Sequence, residues 1–118
     1  MILALDQGLS GTGFAFFEGG LLKQCGNWYP ETTVLYIEVN KPDWVLRSER
    51  FVTAILRNID IKFTDLGVQD IIMERPAFHG SDAGQTVARS GSLVTLCYFS
   101  GMLHGALKNE KFNITSIP

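Results

Sequence analysis

The apolar run Ile2-Leu3-Ala4-Leu5 stops at Asp6, and a glycine-rich segment, Gln7-Gly8-Leu9-Ser10-Gly11-Thr12-Gly13, follows at once. Four consecutive apolar residues without alternation predict a central strand covered on both faces. A carboxylate at the end of such a strand is a fixed anionic ligand, and the glycines let backbone and a bound phosphate or metal approach closely. Taken alone, the segment reads equally well as a hairpin loop in which Asp6 caps its own turn.

Further along, Phe14-Ala15-Phe16-Phe17 resumes as a second strand, and Glu18-Gly19-Gly20 is a hairpin signal. Leu21 to Tyr29 reads as a third strand, which makes an opening meander of three. Residues 30–42 are bracketed by Pro30 and Pro42 and read as a connection, with a short extended piece at Val34-Leu35-Tyr36-Ile37. From Asp43, placed as the N-cap, the period changes. Val45, Leu46, Val52, Ile55, Leu56 and Ile59 recur at helical spacing, and the helix is expected to end near Phe63. Gln69 to Glu74 is a buried strand stopped by Pro76. A polar, glycine-bearing loop spans residues 77–84, a long helix runs from about Gln85 to Lys108, and Phe112 to Ile117 is a last strand. The expected fold class is therefore α/β: a mixed five-stranded sheet, antiparallel then parallel, flanked by helices.

Composition sets the outer limits. With 118 residues, of which 46% are hydrophobic and eight are phenylalanine, one domain over residues 1–118 with a real core is expected. The formal net charge of −2 selects no class of partner. Cys25 and Cys97 lie far from each other and from any CxxC pattern, so neither a zinc site nor a disulfide framework is expected. The N-terminus carries a charge by Asp6 and lacks the basic flank of a signal peptide, which points to a cytoplasmic protein. Residues 90–107 contain no Lys, Arg, Asp or Glu. Their Ser, Thr, Gly and His content favours a buried helix of a soluble protein over a membrane span.

Glu74 closes a second apolar strand, Ile71-Ile72-Met73. If the strands that end at Asp6 and Glu74 are neighbours, two carboxylates meet at one sheet edge. They repel each other there, and a divalent cation relieves that cost; an all-oxygen site suits Mg²⁺ or Mn²⁺. Either residue alone is explained by a solvated strand end. The pair is hard to explain by packing.

The stretch Ile2 to Phe14, written Ile-Leu-Ala-Leu-Asp-Gln-Gly-Leu-Ser-Gly-Thr-Gly-Phe, resembles the opening of the RuvC-like Holliday junction resolvases. Ile71-Ile72-Met73-Glu74, a loop with Phe78, and Ala88-Arg89-Ser90-Gly91 entering a helix are similar to that family's second acidic motif and the helix after it. The resemblance implies a ribonuclease H-like fold and two Mg²⁺ ions. The activity it implies is hydrolysis of DNA phosphodiesters by a crossover junction endonuclease acting in recombination and repair. Asp6 and Glu74 would be catalytic metal ligands. Branched DNA and a second copy of the chain are the expected partners, with Arg75, Phe78, His79 and Arg89 as candidate DNA contacts. Aromatic faces stack on bases, and cationic side chains hold phosphates.

The family carries further carboxylates on a helix after the fifth strand. Here the acidic residues after Glu74 are Asp82 and Glu110, and neither matches. The chain is therefore expected to be C-terminally truncated, without that helix and inactive alone. Two other functions compete. One is a non-catalytic ribonuclease H-like module that binds DNA or a partner. The other is a fragment of an actin-like ATPase or sugar kinase, whose first phosphate loop is similar to residues 6–13. Gly91, Thr95, Ser100, Gly101 and Gly105 give the second helix small sides, read first as close packing on the sheet and second as a homodimer contact.

Overall fold

Gly19 and Gly20 both take positive φ, 60° and 78°, and the chain reverses there in the tight turn that suits the twist of a hairpin. The turn joins the second and third strands of a five-stranded sheet. The computed structural model describes residues 1–30, 43–75 and 92–118. In chain order these form β1 (Ile2–Asp6), β2 (Thr12–Glu18), β3 (Leu21–Trp28), α1 (Asp43–Ile59), a π-helical turn (Asp60–Thr64), β4 (Asp70–Glu74), α2 (Ser92–Asn109) and β5 (Asn113–Ile117). The sheet order is β3-β2-β1-β4-β5. β1 and β3 run antiparallel to β2, whereas β4 runs parallel to both β1 and β5. This is the ribonuclease H-like arrangement, a meander followed by parallel strands and flanked by helices.

One face of the sheet is covered. Leu3, Leu5, Phe14, Phe16, Ile71 and Met73 point from the strands into a single apolar cluster with residues of both helices. α1 brings Phe51, Val52, Ile55 and Ile59; α2 brings Phe99, Leu103 and Leu107. Phe51 and Phe99 stack with ring centroids 5.4 Å apart and planes 7° from parallel, which locks the two helices together. α1 gives way at Asp60 to a wider π turn, a form that occurs mostly as single turns at helix irregularities. That turn drives Phe63 into the core against Phe14 and Phe16, at 5.8 and 5.3 Å. Gly67, at φ 86°, then ends the segment before β4.

The expectation that β1 is covered on both faces is corrected. Its burial alternates, with Leu3 and Leu5 buried, Ala4 half-buried and Ile2 and Asp6 exposed. β4 repeats this pattern. Both described helices share one face, so an apolar run in this sheet reports strand propensity rather than two-sided burial. The second helix also differs from its expected burial. Only a stripe of α2 is buried, while Val94, Tyr98, Gly101 and Gly105 are exposed. A side-chain carbon built on Gly101 or Gly105 meets nothing within 4 Å, so neither glycine serves packing on the sheet. Asp43 is the first helical residue, and its carboxylate takes Arg47 Nε at 3.1 Å one turn on. Residues 34–37 and the expected start of α2 near Gln85 lie outside the described residues.

Candidate functional site

The parallel register of β1 and β4 pairs Leu3 with Ile71, Ala4 with Ile72 and Leu5 with Met73. One further step sets Asp6 beside Glu74. Neighbouring strands lie about 4.8 Å apart, and residues paired in register point to the same face. Leu5 and Met73 are buried against the helices, so Asp6 and Glu74 turn to the other face, where both are exposed. The two carboxylates thus share one strand edge and one side of the sheet.

The loop behind Asp6 is held by its own polar groups. Thr12 is fully buried, and its hydroxyl donates to the Gly8 carbonyl at 3.1 Å. The same oxygen receives the Gly8 N–H at 3.4 Å. Gly8 has no room for a side chain, because a carbon there would stand 2.8 Å from the Gly11 carbonyl oxygen. Gly13 pairs with Asp6 across the β1–β2 ladder. A side-chain carbon at Gly13 would come within 3.7 Å of the Asp6 Cβ, so the glycine keeps space open beside the carboxylate. Gln7 completes the frame: its side-chain amide donates to the main-chain carbonyl of Glu74. A carbonyl can only accept, so the amide nitrogen must face it, which leaves the Gln7 Oε1 buried and without a partner among the described residues.

Of the other residues singled out in the sequence, Arg75 stands next to Glu74 and is exposed. Its N–H donates to the Ile117 carbonyl at 2.7 Å, extending the β4–β5 ladder by one bond. Phe78, His79 and Arg89 lie outside the described residues, as does Asp82. Glu110 follows α2 and precedes β5, whose first residue pairs with Asp70 at the start of β4, so it lies at the opposite sheet edge from Asp6. Cys25 and Cys97 are free and exposed. Gln7 and Thr12 are framing residues that the motif contained but whose roles it did not signal. A hydroxyl placed among loop glycines is the signal that could have pointed to the threonine as a turn clamp.

Among the described residues no group of three or more His, Cys, Asp or Glu converges to hold a metal ion. The donor set at the paired strand ends is nonetheless one that suits a hard cation. Mg²⁺ is commonly held by one or two carboxylates, with waters or phosphate oxygens at its remaining positions. Asp6 and Glu74 fit one such ion and supply nothing further for a second.

The face that carries them is open. Ala4, Ala15, Gly13 and Gly26 floor a shallow depression of about 360 Å³, bordered by Asp6, Glu74, Ile72 and Ile117. Ile117 is 46% exposed and Leu22 54%. No described helix covers this side of the sheet, and no described helix is long and apolar enough to cross a membrane.

No family model matches the sequence, and no curated protein matches it. Among solved structures, the chain is similar to RuvC from Thermus thermophilus, with a TM-score of 0.55 and 12% sequence identity. The match covers 98% of this chain and 62% of that one, so the chain spans under two thirds of that protein's length. The likeness is one of fold.

Proposed function

We propose that the protein is a metal-dependent nuclease of the ribonuclease H-like type, acting on branched DNA such as four-way junctions. The observation that carries this reading is the β1–β4 register, which pairs Leu5 with Met73 and makes Asp6 and Glu74 the next residues of the two neighbouring strands. Packing does not ask for two carboxylates at adjacent strand ends, above a depression floored by alanine and glycine. Asp6 and Glu74 are the proposed ligands of one Mg²⁺ or Mn²⁺. Such an ion, when bound, supplies water activation and stabilisation of the leaving oxygen in phosphodiester hydrolysis. The chain's own part is to fix the ligands: the Thr12 clamp holds the loop, Gln7 ties the two strand ends, and Gly13 leaves room for a phosphate beside Asp6.

Two-ion hydrolysis needs more oxygen ligands than these. The open face beside Asp6 and Glu74 has room for the acidic helix expected from the resemblance, and its apolar floor would be covered by it. The exposed small stripe of α2, with Gly101 and Gly105 at its centre, supports a second copy as partner, since small residues let helices approach closely. Arg75, beside Glu74, is the proposed phosphate contact within the described residues, and Phe78, His79 and Arg89 extend the DNA-binding proposal on sequence grounds. That only these two carboxylates stand at the site among the described residues also favours a second reading, a non-catalytic module that binds DNA through the same edge.

Gel-shift competition between a four-way junction and linear duplex of equal length, in Ca²⁺, tests the proposal. Preference for the junction, lost in Asp6→Asn or Arg75→Gln, is expected; equal affinity for both substrates contradicts it. In Mg²⁺, the 118-residue chain is expected to cut the junction weakly or not at all. Asp6-dependent cutting would reject the non-catalytic reading.

A further inference from the structure

A second cavity, of about 390 Å³, lies on the helix-covered side of the sheet, between one flank of α2 and the carboxyl ends of β4 and β5. Ser100, His104 and Lys108 line it from the helix. Spaced by four residues each, they stand about 6 Å apart on one flank, so they form a row rather than a cluster. Arg75 and Ser116 border the cavity from the strand side.

Ser100 is the informative residue. It is 4% exposed, and its hydroxyl has no partner among the described residues. A serine buried in a helix ordinarily bonds back to the carbonyl one turn before it. Three polar side chains of α1 do so: Ser48 to Trp44 at 2.8 Å, Thr53 to Glu49 at 3.0 Å and Asn58 to Ala54 at 2.9 Å. Ser100 does not, and it lines the cavity instead. A buried hydroxyl left unpaired costs about 1–3 kcal/mol, so something outside the described chain is expected to meet it.

Charge says what that is. Arg75, His104 and Lys108 form no ion pair among the described residues, and each carries at least one side-chain N–H donor. Glu74 also borders the cavity, but strand alternation sends its carboxylate to the opposite face, with Asp6. Gln7 Oε1, the other unpartnered buried atom here, needs a donor, which a bridging water or a protonated phosphate oxygen provides.

The geometry points to an oxyanion site along this flank of α2, taking phosphate groups in a row through Ser100, His104 and Lys108, with Arg75 at one end. The ligand is either a phosphodiester strand or a free polyphosphate. Its helix row lies across the sheet from the paired carboxylates, and Arg75 is the residue it shares with the proposed junction contact.

The test is calorimetric titration in EDTA, so that no divalent cation contributes, with tripolyphosphate and with a short single-stranded oligodeoxynucleotide as separate probes. Saturable binding of at least one probe is expected. Ser100→Ala and Lys108→Gln should each weaken it by roughly tenfold, the usual weight of a charge-assisted hydrogen bond. Lys23→Gln, on the far edge strand, should leave it unchanged. Lys108 is exposed, so its variant keeps the fold even if that of Ser100 does not. Tripolyphosphate alone binding marks a free-phosphate site, and the oligonucleotide binding marks a strand contact. Absence of saturable binding by both, or equal loss in Lys23→Gln and Lys108→Gln, overturns the assignment. Binding in EDTA needs no divalent cation, which separates this site from the proposed metal site.

Discussion

The side-chain amide of Gln7 donates to the main-chain carbonyl of Glu74, so the residue after the first carboxylate is tied to the residue that carries the second. Ladder bonds between β1 and β4 set the register of the two strands, but they run out at this edge. Gln7 takes over where they end, and it holds the separation of Asp6 and Glu74 without touching either carboxylate. Replacing it should therefore loosen a metal site while sparing its ligands. For Gln7→Ala we expect a loss of about 1 kcal/mol in denaturant unfolding, typical of one hydrogen bond. Mn²⁺ affinity should fall several-fold beside it. Unchanged affinity with reduced stability would show that the tie supports only the fold.

The Thr12 clamp can be tested apart from its shape. Thr12→Val keeps the volume and removes a hydroxyl that both donates to and accepts from Gly8. The expected cost is about 1–3 kcal/mol, because the Gly8 groups lose their partner in a partly buried loop. Thr12→Ser should recover most of it. Gly8→Ala should be at least as damaging, since its new carbon would stand 2.8 Å from a backbone oxygen that cannot swing away.

Helix docking rests on the stack of Phe51 on Phe99, both essentially fully buried. Phe51→Ala should lower stability by about 3–5 kcal/mol, the range for removing a buried aromatic ring. Chemical denaturation followed by tryptophan fluorescence would read it, since Trp28 belongs to the same core.

Gly101 and Gly105 give a prediction with opposite signs for the monomer and the pair. Each is helical, exposed and free of neighbours, so Gly→Ala should stabilise the isolated chain by about 1 kcal/mol through helix propensity. If the stripe is where two copies meet, Gly101→Glu should leave the fold intact and shift sedimentation from dimer to monomer. A wild-type chain that stays monomeric at high concentration would refute the partner proposal.

The order of strands and helices was legible in the sequence because turn signals such as Glu18-Gly19-Gly20 and the change of period at Asp43 are local. The two carboxylates were legible because each ends an apolar strand. What local patterning could not tell was which faces would be covered. Ile2-Leu3-Ala4-Leu5 is apolar throughout, yet only Leu3 and Leu5 meet the helices. Phe51, absent from the expected periodic set, proved a centre of the core because its partner is Phe99, far away in sequence. The bond from Gln7 to Glu74 was equally hidden, since it depends on a parallel register between strands 67 residues apart. The same holds for Ser100, whose small side chain suggested close packing and whose hydroxyl instead lines a cavity.

Asp6 and Glu74 are proposed to hold one divalent cation jointly. Titration with Mn²⁺, read by the paramagnetic relaxation of water protons, tests it without any need for cleavage. One saturable site is expected in the wild-type chain, lost in Asp6→Asn and in Glu74→Gln, and retained in Glu110→Gln at the opposite sheet edge. Wild-type binding that survives both Asp6→Asn and Glu74→Gln, or no saturable site at all, would contradict it.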